Sequence, residues 1–188
     1  MAISSVGGTI NIITKTTEAK KGGFFRTMAG SNGYFKNTFS YNTGLKDNGL
    51  SFSMLIDHWQ ADKKFRKWTK GQGQTYFFSV GYVKGNHNAN LMLTGAPQWH
   101  NQSWSESAGR YEQYGIDYNG RGGTLNGEEY TERRNFYHKP VLNLSWDWDI
   151  SSEMTLSTVG YASWGRGGGT GDFGNDDIFD DARQENGD

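Results

Sequence analysis

The chain has no cysteine, only two prolines and no long apolar run. Without cysteine there is neither a disulfide framework nor a thiolate metal site. No stretch approaches the roughly 18 apolar residues that a membrane-spanning helix requires. Hydrophobic residues make up 34% of the 188 positions, and mean hydropathy is -0.78, low for a packed globule. A chain-wide basic field is also missing, because the net charge is -1, so nucleic acid is not an expected partner. The charge is unevenly spread, however. Positions 171–188 hold seven acidic side chains and one Arg, leaving the rest of the chain basic. Met1-Ala2-Ile3-Ser4 has neither the charged start nor the apolar stretch of an export signal.

What is present is glycine, at 27 positions, and aromatic residues, at 15%. They accompany seven runs of period-two alternation. Leu50, Phe52, Met54 and Ile56 alternate with Ser51, Ser53, Leu55 and Asp57. Tyr76, Phe78, Val80 and Tyr82 alternate with Thr75, Ser79 and Gly81, and Leu142, Leu144, Trp146 and Trp148 with Asn143, Ser145 and Asp147. Such alternation places each apolar row on one face of a strand. Arg at Phe78 or Leu144 should therefore disrupt assembly far more than Arg at Ser79 or Asn143. The connections alternate in length: 31–33 and 46–49 are short, 60–73 long, 84–88 short, 96–135 very long and 149–153 short, before an open tail from 165. Several runs reach about 9–11 residues, the length of a tilted membrane strand. Tyr34, Trp59, Trp146, Trp148 and Trp164 near strand ends suit an interfacial band. The pattern predicts an all-β chain, an antiparallel transmembrane β-barrel segment of about seven strands from a larger barrel. The alternative is a soluble extracellular β-sandwich that binds carbohydrate.

The connection 96–135 is the candidate ligand-binding loop. It carries Trp99, His100, Trp104, Tyr111, Tyr114, Tyr118 and Tyr130 among Arg110, Arg121, Arg133 and Arg134. Rings offer flat area to sugars or planar chelates, and guanidinium groups hold carboxylates bidentately. The bland reading is that the rings pack the loop against its neighbours. His100 has the chemistry to ligate a haem-type cargo. In 60–73, Lys63, Lys64, Arg66, Lys67 and Lys70 read as a solvated basic loop, or as a contact for an anionic ligand or lipopolysaccharide. Asp172, Asp176, Asp177, Asp180 and Asp181 lack the spacing of an EF-hand loop. The Gly-rich stretch 165–171 has no Lys-Ser/Thr pair and no following helix, which excludes a phosphate cradle. Scattered His residues give no zinc spacing. Asp57-His58 is no catalytic pair, since adjacent strand residues face opposite sides. No enzyme and no cofactor are expected.

The opening segment adds a resemblance. Gly7-Gly8-Thr9-Ile10-Asn11-Ile12-Ile13-Thr14-Lys15, preceded by Ala2-Ile3-Ser4-Ser5-Val6, is similar to the end of the plug domain in TonB-dependent outer-membrane receptors. Gly30-Ser31-Asn32-Gly33-Tyr34 resembles the first hairpin of such barrels, and the style of loops and turns resembles receptors from the Bacteroidota. The resemblance implies residues 1–15 as the end of the plug, 16–22 as a connector and 23–188 as the first part of a barrel of about 22 strands. It implies a piece of a longer protein in the outer membrane of a Gram-negative bacterium. The whole receptor would take up a siderophore, haem, cobalamin or a glycan. Its partners would be the TonB energy-coupling complex, acting through the plug upstream, and the surrounding outer-membrane lipid and lipopolysaccharide.

Overall fold

The computed structural model describes residues 15–171. The plug-like segment 2–14 and the acidic run 172–188 lie outside the described residues, and with them the plug-strand reading and the five aspartates from Asp172 to Asp181. A 3-10 turn, Thr16–Glu18, precedes β1 (Gly22–Ala29), β2 (Phe35–Asn42), β3 (Leu50–Ala61), β4 (Gly71–Lys84) and β5 (His87–Gly95). Then come β6 (Gln98–Asn101), a short helix α1 (Ala108–Tyr114), the hairpin β7 (Gly122–Leu125) and β8 (Glu128–Thr131), and β9 (Arg134–His138). β10 (Val141–Ser151), β11 (Met154–Ser163) and β12 (Arg166–Gly169) follow. The fold is all-β and antiparallel, as expected. Its main sheet runs β1-β2-β3-β4-β5-β10-β11 and is open, with β1 and β11 at its two ends.

Local chemistry explains the meander. Asn32 and Gly33 turn the first hairpin with left-handed φ of 60° and 67°, which an Asn-Gly pair adopts at low cost. At the same end as the tight turn after β2, short connections brace one another: Val83 donates its N–H to Gly49 O at 2.8 Å, and Asp149 to Asn86 O at 2.9 Å.

The expected loop 96–135 is not a loop throughout. β6 prolongs β5 and pairs with Gly71, Gln72 and Gly73 of β4. β9 pairs with β6 and leads into β10, and β12 prolongs β11 and pairs with β9. The ladder is interrupted at Pro97 and Pro140, the two residues without an N–H to donate, and resumes beyond them. Three strands therefore run on past the main sheet at the long-connection end. By the same extension the expected connection 60–73 shrinks to 62–70 and part of the tail becomes β12.

Paired residues in an antiparallel ladder share a face, so the register sorts the sheet into two surfaces. One is polar and sheltered over the centre of the sheet, where Thr38, Ser40, Ser51, Ser53, Asp57, Ser79 and Asn90 are buried and Lys36 Nζ lies 3.1 Å from Asp57 Oδ2, whereas its edge strands carry exposed Phe24, Met28, Val159 and Tyr161. The other is apolar and bare: Leu50, Ile56, Val80, Leu91, Leu142 and Leu144 are exposed. Val80 is 44% exposed and its neighbour Ser79 only 1%. Pro140 aside, Tyr118 is the one hydrophobic side chain buried among the described residues, and it belongs to the loops. The turn before β1 docks on the polar face. Thr16 Oγ1 donates to Ser79 Oγ at 2.5 Å, and Thr16 N to Asn90 Oδ1 at 3.3 Å.

Two expectations change here. Ser79, where Arg was expected to do far less harm than at Phe78, is enclosed by Thr16 and Asn90, so a long cation there would displace the turn. Trp59 does not join an aromatic band on the apolar face. It shares the polar face with Asp57 and lies over Gly73, whose missing side chain makes room for it. Trp146 and Trp148 do sit on the apolar face, stacked with each other and flanked by His87. A Cβ at Gly73 would meet Trp59 Nε1 at 2.7 Å. Gly73→Val should therefore lower stability by about 1–3 kcal/mol through overpacking, measured as an earlier unfolding midpoint followed by tryptophan fluorescence.

Candidate functional site

The long connections 62–70 and 102–133 form one self-supporting cap. Its hub is Asn119, which is fully buried. Its amide donates to Lys67 O at 3.1 Å and Gln102 O at 3.2 Å, while its carbonyl accepts from Arg121 N at 3.1 Å. One side chain thus satisfies backbone groups from both connections, as burial demands. Nearby, Arg66 lies over the Tyr111 ring at 4.7 Å, donates to the Tyr111 hydroxyl, and donates to Tyr118 O at 3.2 Å. Helix α1, capped by Ser107 and closed at Gly115, positions Tyr111 for these contacts. Glu106 N donates to the same hydroxyl at 2.8 Å.

Of the eleven residues named in the candidate loop, the nine besides Tyr118 and Tyr130 do not converge on one pocket. Trp104, Arg121 and Arg133 form one group, with guanidinium carbons 4.7 and 5.1 Å from the indole centroid and Arg121 2.7 Å from Glu132 Oε1. Arg110, Tyr111 and Tyr114 form another. Arg110 faces Glu106 at 3.6 Å, and Tyr114 packs against Tyr118 at 4.8 Å between ring centroids. These six residues hold the cap together, as the packing reading anticipated for such rings. The basic stretch is also engaged internally: Lys63 and Lys67 approach Asp117, and Lys70 Nζ is 2.5 Å from Glu129 Oε2.

The remaining three lie on the strand extensions, on opposite faces. Trp99 and Arg134 are on the apolar side, the guanidinium 4.6 Å from the ring centroid and its Nε 3.1 Å from Asn101 Oδ1. His100 pairs with Gly71 and Asn135 on the polar side. Burial, and secondly the nearby Lys64 charge, hold its pKa below the ordinary imidazole value. His100 is therefore neutral at pH 7, with a ring nitrogen able to accept a hydrogen bond or a metal. Among the described residues no group of three or more His, Asp or Glu is arranged to hold a metal.

Two clefts occupy these extensions, back to back. On the polar face, Asn135, Tyr137 and Lys139 stand beside the glycine floor of β12 around a space of about 530 Å³, within the range of small-molecule sites. On the apolar face, a groove of about 260 Å³ is lined by Gln72, Gln74, Trp99, Phe136, His138 and Arg166, among others. Sequence reasoning missed Asn119 and this groove. Continuing the strand alternation past Pro97 and Pro140 would have placed Trp99, Phe136 and His138 on one face. Nothing local marks Asn119.

The chain matches no known family model, and neither a curated protein nor a solved structure similar to it was found.

Asn119→Ala removes three part-buried hydrogen bonds, to Lys67 O, Gln102 O and Arg121 N, each worth about 0.5–1.5 kcal/mol. Limited proteolysis should then cut within 102–133 at least tenfold faster, with the main sheet intact by circular dichroism. Unfolded chain protonates His100 near 6.5, before the folded chain does. His100 therefore costs no stability above that pH, and stability is lost as pH falls through it towards the folded midpoint. Lys64→Gln should raise the folded midpoint without fully restoring it, since burial is the larger cause; histidine NMR titration reads this directly.

Proposed function

We propose that the chain is part of a TonB-dependent outer-membrane receptor, the end of its plug and the first strands of its barrel. The observation that carries this reading is the inverted centre of the sheet, where buried side chains are polar and aliphatic ones are bare. Leaving one aliphatic side chain in water rather than burying it forgoes about 1.5–3 kcal/mol, and here Leu50, Ile56, Val80, Leu91, Leu142 and Leu144 are each more than a third exposed. A hydrocarbon environment removes that cost, and the polar face then lines a barrel interior. A carbohydrate-binding sandwich would need a second sheet over the apolar rows, and among the described residues none covers them. The open edges at β1 and β11 are untenable in lipid, so the reading requires neighbouring strands to complete the wall.

Docking of Thr16 on the polar face fits a chain that leaves a plug inside the barrel and enters the wall at β1. The receptor takes up a scarce nutrient, a siderophore, haem, cobalamin or glycan, from the outer surface of a Gram-negative cell. On this side the polar-face cleft and His100 offer contacts: Tyr137 a ring, Lys139 a cation, Asn135 an amide and His100 a neutral nitrogen. TonB coupling acts through plug residues upstream of those described.

The absence of cysteine makes single-cysteine labelling clean. A bimane probe at Leu144→Cys should be quenched by brominated acyl chains in native membranes, whereas one at Asn143→Cys should be quenched by aqueous iodide instead. Equal iodide quenching at both positions, with the protein in the soluble fraction, would reject the membrane reading.

A further inference from the structure

Five asparagines of the chain are followed by glycine, and Asn32, Asn48, Asn119 and Asn126 are the four among the described residues. Asparagine is chemically labile in this setting, because glycine has no side chain to hinder attack by its own backbone nitrogen. That nitrogen loses its proton and attacks the Asn Cγ. The N–Cγ bond forms, the Cγ–Nδ2 bond breaks, and the amide leaves as ammonia. Water then opens the resulting succinimide at either carbonyl. The products are aspartate and isoaspartate, the latter with the main chain routed through the side chain. The reaction needs an unengaged glycine N–H, an unrestrained side-chain amide, access for water and room for the ring to close.

Three of the four pairs fail these requirements. Asn119 is fully buried with its amide committed to Lys67 O and Gln102 O, and Gly120 N donates to Glu106 Oε1 at 3.1 Å. At Asn48 the attacking nitrogen is occupied, since Gly49 N donates to Lys46 O at 2.8 Å, and the side-chain oxygen accepts from Leu50 N at 3.1 Å. Asn32 donates its amide to Lys64 O at 3.1 Å, and the Asp62 carboxylate fills the space beside Gly33. Asn126 meets every requirement. With Gly127 it forms the exposed two-residue tip of β7–β8, at φ of 56° and 84°. Neither its side chain nor the Gly127 N–H has a hydrogen-bond partner among the described residues. Nothing lies within 4 Å of the place that a Gly127 side chain would take.

We propose that Asn126 is a site of spontaneous covalent modification, converting to aspartate and isoaspartate with water as the reagent, and that the conversion opens the β7–β8 hairpin. Isoaspartate adds a carbon to the main chain of a turn only two residues long. The pairing of Leu125 with Glu128 and of Thr124 with Glu129 is thereby put out of register. Either product adds a carboxylate beside Glu128 and Glu129, where Lys70 already pairs with Glu129. Lys70 comes from one long connection and the hairpin from the other, so the modified tip lies where the two halves of the cap meet. The inference is independent of what the protein takes up.

The test incubates the folded full chain at neutral pH and follows each Asn-Gly pair by peptide mass spectrometry, which reads the amide-to-acid mass change and the isoaspartyl peptide. In folded protein Asn126 should convert at least tenfold faster than Asn32, Asn48 and Asn119. In strong denaturant the four should convert at similar rates, which shows that structure and not sequence selects the site. Asn126→Gly supplies the control, because a Gly-Gly pair keeps the turn and removes the reacting amide. After equal incubation, limited proteolysis should cut the native chain within 122–131 at least threefold faster than this variant. Conversion at Asn126 no faster than at the other three in folded protein would overturn the proposal. So would the same tenfold lead in denaturant, and so would conversion at Asn126 that leaves cutting of the hairpin unchanged.

Discussion

Paired residues in an antiparallel ladder share a face, so a slip of one residue anywhere between Leu50 and Ser163 would exchange polar and apolar surfaces over part of the sheet. Register is therefore the constraint on which everything else depends. It sets Asp57 beside Lys36 and Ser79 beside Asn90, and it leaves Val80, Leu91 and Leu144 bare. Tight turns fix it at one end, where Gly49 and Asn86 accept hydrogen bonds from neighbouring strands. At the other end the ladder lapses at Pro97 and Pro140 without changing the alternation. The extensions beyond keep the same two faces.

That continuity decides what the far end of the sheet can contact. Trp99 and His100 are neighbours in sequence and oppose each other in space, one towards the apolar groove and one on the polar face. In the proposed receptor these are the lipid side and the ligand side of a single wall. The cap over them is held by buried amides, ion pairs and cation–π contacts rather than by an apolar core, with Tyr118 as its one buried hydrophobic side chain. Each cation–π contact is worth about 0.5–2 kcal/mol. The three around Trp104 and Tyr111 consequently fix geometry more than they set global stability.

Most of the architecture was legible from alternation alone, because period two is a local property of each strand. The rows around Phe52, Phe78 and Leu144 were assigned to the face they occupy. Errors came where a distant partner decides. The stretch 96–135 read as a loop because β6 and β9 are four and five residues long and are stabilised by each other and by β4. Trp59 read as part of an interfacial band because its place over Gly73 depends on the β3–β4 register. Ser79 read as far less sensitive than Phe78 because its enclosure comes from Asn90 on the next strand and from the docking of Thr16, 63 residues away.

The sequence by itself determined the seven strands of the main sheet and its two-faced character, since these follow from side-chain period and from turn residues such as Asn32-Gly33. Tertiary structure decided how the aromatic and basic residues of the long connections are used. Tyr111, Tyr114, Arg121 and Arg133 became internal supports, whereas Trp99, His100 and Arg134 were left on the strand faces. The physical reason is that a ring or a guanidinium group has the same chemistry in either role. Only the partners that folding brings within reach, Arg66, Glu106 and Glu132 among them, determine whether it is already engaged.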